Sequence, residues 1–153
     1  MTSLELRIPP PLVLLLAAVV MWLLARALPW LTWIMPGPIV LAMVLGISGI
    51  ALAATAMRAF NRHKTTVNPL KPDEATSVVT QGPFKITRNP MYLGLTIVLL
   101  GWAAYLSNVA AACVIPLFMM YLTRFQIIPE ERILLGKFGE PFAQYMARVR
   151  RWL

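Results

Sequence analysis

The side chains able to do chemistry gather in two short clusters, each at the edge of an apolar run. Arg88, Asn89 and Tyr92 surround Pro90 just before one run, and Glu130 and Glu131 follow Arg124 and Gln126 just after another. Adjacent carboxylates beside hydrocarbon are costly unless a cation or donor meets them, so such a pair can hold a cationic ligand, or Glu131 can take a proton from a nucleophile. The plainer explanation is a helix start, because acids after Pro129 suit the positive end of a helix dipole. Pro90 likewise fits a first helical position with Asn89 as N-cap, and the free N–H groups of such a start attract a carboxylate or phosphate. Its plainer counterpart is a capped helix with Arg88 reaching to the headgroups.

Other chemistries have no residues to carry them. One His and one Cys give no metal-ligand spacing, and GxSxG, Walker and GxGxxG patterns are all absent. A soluble Rossmann enzyme is thereby excluded, and no metal is expected. Cys113 reads as a small hydrophobe within an apolar helix, and His63, between Arg62 and Lys64, as an interfacial residue.

The elements that must position the two clusters are set by the solvent. Of the 153 residues 59% are apolar and 13% charged, with a mean hydropathy of +0.70, whereas a soluble domain is about half apolar and about a quarter charged. The sequence predicts an all-α integral membrane protein, a single membrane domain over 1–153, with about four transmembrane helices near 11–28, 38–58, 91–106 and 109–127. Pro29, Pro36, Gly37 and Pro38 punctuate a turn between the first two, and Ser107-Asn108 a turn between the last two, which form a short helical hairpin. Between the pairs lies a loop, 59–90, whose Pro69, Pro72, Pro83 and Pro90 forbid one continuous helix. Residues 76–80 read as extended, and Gln81-Gly82-Pro83 as a turn.

The region 130–153 reads as amphipathic: Phe142, Tyr145, Met146 and Val149 recur at helical spacing after Pro141. With Arg148, Arg150, Arg151 and Trp152 at the interface, this helix lies on the membrane or caps the site. Under the positive-inside rule, a multi-pass chain with cytoplasmic N- and C-termini puts every one of the 14 Lys and Arg residues except Arg26 on the cytoplasmic side. The net charge of +8 then faces anionic lipid, not nucleic acid. A cleavable signal peptide ending at Ala25-Arg26-Ala27 is the weaker reading, since Glu5 offsets Arg7 ahead of the first apolar run.

Taken in order, Gly82-Pro83-Phe84-x3-Arg88-Asn89-Pro90-Met91-Tyr92-Leu93-Gly94, Asn108 and Arg124-x5-Glu130-Glu131-x2-Leu134-x4-Gly139-x5-Tyr145 resemble the isoprenylcysteine carboxyl methyltransferase family. Related to it are the membrane phospholipid N-methyltransferases. The resemblance covers roughly residues 60–152. It implies S-adenosyl-L-methionine as cofactor, S-adenosyl-L-homocysteine as product, and a cofactor site in the cytosolic connection formed by Ser77, Val78, Val79, Phe84, Asn89, Pro90, Met91, Tyr92 and Glu130. It implies a substrate-binding position at Gln126, with Arg124 close by in sequence, and Glu131 is the nearest candidate base for an amine acceptor. Two positions depart from the family pattern: Asn89 stands where the family has His, and Gln126 where it has an Arg for the substrate's carboxylate. Arg124 lies two residues away, about 200° around an α-helix.

The reading that follows is methyl transfer to a lipophilic acceptor entering from the membrane lipid, prenylcysteine-like or isoprenoid carboxylate first, with a phospholipid amine or small thiol as alternatives. A second copy could supply a wall as a homo-oligomer. A four-helix transporter is the rival outside enzymes, although every acid here lies outside the spans. A membrane anchor for a soluble partner is the other.

Overall fold

In the computed structural model, which describes residues 5–63 and 70–153, regular structure is helical, and the described residues form no strand beyond an isolated bridge between Thr32 and Asn108. Helices α1 (Pro10–Ala27), α2 (Pro38–Arg62) and α3 (Pro90–Leu106) are followed by a longer helical run. That run comprises α4 (Val109–Ala112), α5 (Val114–Leu122), a π-helical stretch (Thr123–Ile127) and α6 (Ile128–Phe138), and α7 (Glu140–Arg148) closes the order. Among the described residues three helical stretches, α1, α2 and Val109–Phe138, are long and apolar enough to cross a membrane, while α3 is apolar but has only 17 residues. Their outer faces carry Leu15, Leu16, Ile39, Val44 and Ile47, all exposed, a surface suited to lipid.

Prolines explain where these elements begin and bend. Each of α1, α2 and α3 opens on proline, whose fixed φ and missing N–H suit a first turn. Pro116, inside α5, cannot donate to Ala112, and the helix breaks between α4 and α5 at Cys113. Pro129 does the same to Phe125, and the chain answers with the π-helical stretch just before it.

α3 turns at Ser107-Asn108 into the run that follows and contacts it, as the expected hairpin has it, but its main partner is another helix. α3 packs chiefly along α2, antiparallel, because small residues line the contact. A Cβ on Gly49 would stand 2.5 Å from the Gly94 carbonyl oxygen, one on Gly94 would stand 2.6 Å from the Gly49 oxygen, and one on Gly101 would stand 2.9 Å from that of Ala42. Ala42, Gly46, Gly49, Ala53 and Ala56 form this stripe on α2 at alternating spacings of four and three. Without a hydrophobic force between helices in lipid, such close backbone approach is what holds them.

Other boundaries shift too. α2 runs to Arg62 rather than 58, so the connection 59–90 begins later; Lys64 and Pro69 lie outside the described residues. The helix expected over 109–127 continues to Phe138. The amphipathic region is two helices, parted at Gly139, whose φ of 59° suits glycine. Residues 76–80 belong to no helix or strand, and the expected turn is a short 3₁₀ segment (Gly82–Lys85) with Gly82 at φ 60°.

Asn108 fixes the far end of the bundle. Fully buried, it caps α4 by accepting from Ala111 N at 3.2 Å and donates through Nδ2 to Leu28 O at 2.9 Å. The core beneath it joins Met21 of α1, Leu99 of α3 and Phe118 and Leu122 of α5. A second cluster, at the opposite end, joins Ala56, Val79, Phe84, Phe142 and Tyr145. It floors the site.

Candidate active site

A cavity of about 560 Å³ opens at this second end, within the range of small-molecule pockets. Its polar side carries Ser77, Arg88, Asn89, Tyr92, Glu130 and Glu131; its apolar side carries Pro9, Pro10 and Pro11 with Ala53, Met57 and Leu95. Val78, Val79, Phe84, Pro90 and Met91 also line it. Every residue read from the sequence as cofactor-binding therefore borders one space.

Tyr92, one turn into α3, donates its hydroxyl to Glu130 Oε2 at 3.1 Å, bridging the two polar clusters. Glu130 keeps the rest of its acceptor capacity toward the cavity it lines. Ser77 Oγ is buried there without a partner. A buried orphan hydroxyl costs free energy, so a ligand polar atom at this point would be favoured.

Glu131 is differently placed. Its Oε1 takes Arg88 Nη2 at 2.9 Å and Arg151 Nε at 3.2 Å, and its Oε2 takes Arg151 Nη2 at 2.7 Å. Both oxygens are thus engaged by cations, which occupies the carboxylate. The carboxylate expected to act as a base is thus held in an ion triad with Arg88 and Arg151.

Backbone carbonyls of Met146, Arg150 and Arg151 bind the residues just before α3 beside the same triad. Arg88 N donates to Arg150 O at 3.0 Å, Arg88 Nη1 to Met146 O at 2.8 Å, and Thr87 Oγ1 to Arg151 O at 3.2 Å. Asn89 occupies the N-cap position of α3, but its side chain does not cap; Nδ2 donates to Arg151 O at 2.9 Å. Trp152 is not free at the interface, since its Nε1 donates to Thr123 Oγ1 at 3.1 Å. Tyr145 donates to Phe84 O at 2.8 Å, and burial pushes its phenol up to about 12, against a smaller downward effect of Arg88, so it stays a neutral donor.

Arg124 and Gln126 do not reach the cavity. Arg124 pairs with Glu5 at 3.2 Å, and the fully buried Gln126 donates through Nε2 to Ile8 O at 2.7 Å. The π-helical stretch that carries both residues alters the rotation on which an α-helical count depends. Sequence reasoning also missed Pro9, Pro10 and Pro11 as lining residues, though three consecutive prolines ahead of a span were a visible sign of a rigid wall. Arg151 left no such sign, because its carbonyl does half of its work.

Residues 38–141 match the model of the family described as phospholipid methyltransferase, and the chain belongs to that family. It is a membrane methyltransferase family related to the isoprenylcysteine carboxyl methyltransferases. A relative from Haemophilus influenzae, described as an uncharacterized protein, is 41% identical over 63 residues, which make up 41% of this chain and all of the relative. The family match takes in α2, α3 and the Glu130-Glu131 pair; α1 with Pro9, Pro10 and Pro11, and Phe142, Tyr145 and Arg151, lie outside it.

Proposed function

We propose that the protein methylates a lipid amine, using S-adenosyl-L-methionine and releasing S-adenosyl-L-homocysteine. The observation that carries this reading is a single cavity joining the Tyr92–Glu130 pair and the orphan Ser77 hydroxyl to a wall of proline and aliphatic side chains. These residues fit the cofactor: Glu130 meets a cationic group, Ser77 and the backbone of Val78 and Val79 offer hydrogen bonds, and Phe84 and Tyr92 give aromatic faces. When bound, the cofactor supplies an electrophilic methyl group on a sulfonium cation.

The chain's own contribution is positional. Tyr92 orients Glu130, the ion triad fixes residues 87–89, and the apolar walls exclude water around the reacting atoms. Those same walls disfavour an ammonium and so favour the acceptor amine as its free base, the form that attacks. No side-chain base is then required.

A prenylcysteine-like carboxylate acceptor would call for a free cation at the reacting end. Among the described residues Arg88 is the guanidinium lining the cavity, and it is committed to Glu131 and Met146. The family match favours the phospholipid amine for the same position. We place the basic connection and the cavity mouth on the cytoplasmic side, following the distribution of Lys and Arg. Calorimetry with both cofactor forms, then radiolabelled methyl transfer to a lipid amine and to an isoprenoid carboxylate, tests the proposal. Saturable binding with transfer to the amine supports it; transfer to the carboxylate alone would reverse the acceptor, and no binding by folded protein would remove the enzyme reading.

A further inference from the structure

The apolar wall of the cavity has its own suspension. Pro129 cannot donate a hydrogen bond back to Phe125, and the freed Phe125 carbonyl accepts Leu6 N at 3.0 Å. Gln126 Nε2 holds Ile8 O at 2.7 Å, and the Glu5 carboxylate, with 3% of its side chain exposed, bridges Arg124 at 3.2 Å and Arg132 at 3.4 Å. Leu6 itself sits at φ 56°, a left-handed conformation that a leucine keeps only where its surroundings impose it. Residues 5–8 are therefore fastened at several points to the helix that carries Glu130.

What hangs from this fastening is chemically silent. An ordinary helix start presents unpaired N–H donors. Here Pro9, Pro10 and Pro11 have none, while Leu12 N and Val13 N are already bonded to Pro9 O at 2.9 and 3.3 Å. A phosphate or sugar finds no donor on that wall, and hydrocarbon finds a rigid apolar surface.

Building on the methyltransferase reading, we propose that Pro9, Pro10 and Pro11 form the specificity wall for the acceptor's hydrocarbon chain, and that Glu5 and Gln126 are the positioning residues that set its place. The wall lies outside the family match. A single tail packs against it while the head points to the Tyr92–Glu130 end.

The test is photolabelling of the detergent-purified full chain with an alkyl amine carrying a diazirine in its tail, competed by unlabelled alkyl amine. Competable label on the peptide holding Pro9, Pro10 and Pro11 is expected, falling at least about fivefold in Pro11→Phe, which narrows the wall, and in Glu5→Lys, which repels Arg124 and Arg132. Cofactor affinity should stay within about twofold in Pro11→Phe, and its unfolding temperature reports on folding. Label spread evenly over lipid-facing residues such as Ile47, or unchanged in Pro11→Phe, would overturn the proposal. Loss of cofactor binding by the parent would sink the methyltransferase reading alone, because the labelling pattern is read without turnover.

Discussion

The phenol of Tyr92 and the carboxylate of Glu130 meet at 3.1 Å across 38 residues of chain, and they do so at the wall of the cavity. This contact makes one site of two clusters that the sequence holds apart. Glu130→Gln keeps the shape and removes the charge. Affinity for S-adenosyl-L-methionine should fall at least about tenfold, about 1.4 kcal/mol, while Tyr92→Phe, which removes only the orienting donor, should cost less. Calorimetry on both variants checks the order, and equal losses would deny Tyr92 its secondary place.

Breaking the ion triad should be costly in proportion to what is left unpaired. Arg88 and Glu131 are each 10% exposed, so Glu131→Ala strands a buried guanidinium and should destabilise by about 3–5 kcal/mol. Arg151→Ala, where the side chain is 35% exposed and Arg88 still neutralises the acid, should cost much less. Joint replacement by Arg88→Met and Glu131→Leu should recover most of the loss. Unfolding in micelles measures all three.

Glycines of α2 separate cleanly by contact. Gly49→Ala drives a Cβ onto the Gly94 carbonyl oxygen and should destabilise by about 1–3 kcal/mol. Gly46→Ala meets nothing within 4 Å and should be neutral or stabilising, since alanine is the better helix former. The same micelle assay reads the pair, and equal effects would contradict the close packing of α2 on α3.

Tyr145 supplies a pH dependence with a definite sign. Its phenol is pushed from the ordinary 10.0 up to about 12 in the fold. A raised value means that the unfolded chain loses its proton first, so the stabilisation is full below pH 10 and declines as pH rises toward 12. Tyr145→Phe should remove that alkaline decline and also lose the 2.8 Å bond to Phe84 O. Stability measured from pH 8 to 11 shows either a flattened profile or an unchanged one, the second of which would assign the decline elsewhere.

Much of this was open to reading because lipid imposes long charge-free stretches, and three helical stretches long enough to cross are present. Pro90 at the start of α3 and the turn at Asn108 also followed from local chemistry. The partner of α3 did not, because a stripe of small residues signals close approach without naming the neighbour. Gln126 and Arg124 were read as catalytic from the resemblance, and they lie off the cavity lining in the π-helical stretch just before Pro129. The hold of residues 149–152 on Asn89 passes through backbone carbonyls, which every residue possesses and no sequence pattern marks.

The shortness of α3 sets the depth of the site. Its 17 residues rise only ~26 Å, less than the ~30 Å of hydrocarbon in a typical bilayer. Gly94 sits against Gly49 and Ala53, so α3 begins about one turn further along, while α2 runs on to Arg62, some ~10 Å beyond. Asn89 and Tyr92 are thus sunk below the rim that α2 raises. A bilayer matched to α2 closes over that recess, and an acceptor with no tail must leave bulk water to descend into it. Local thickness would then set how deep the recess lies: thinner membranes would raise it toward the headgroups, and thicker ones would bury it.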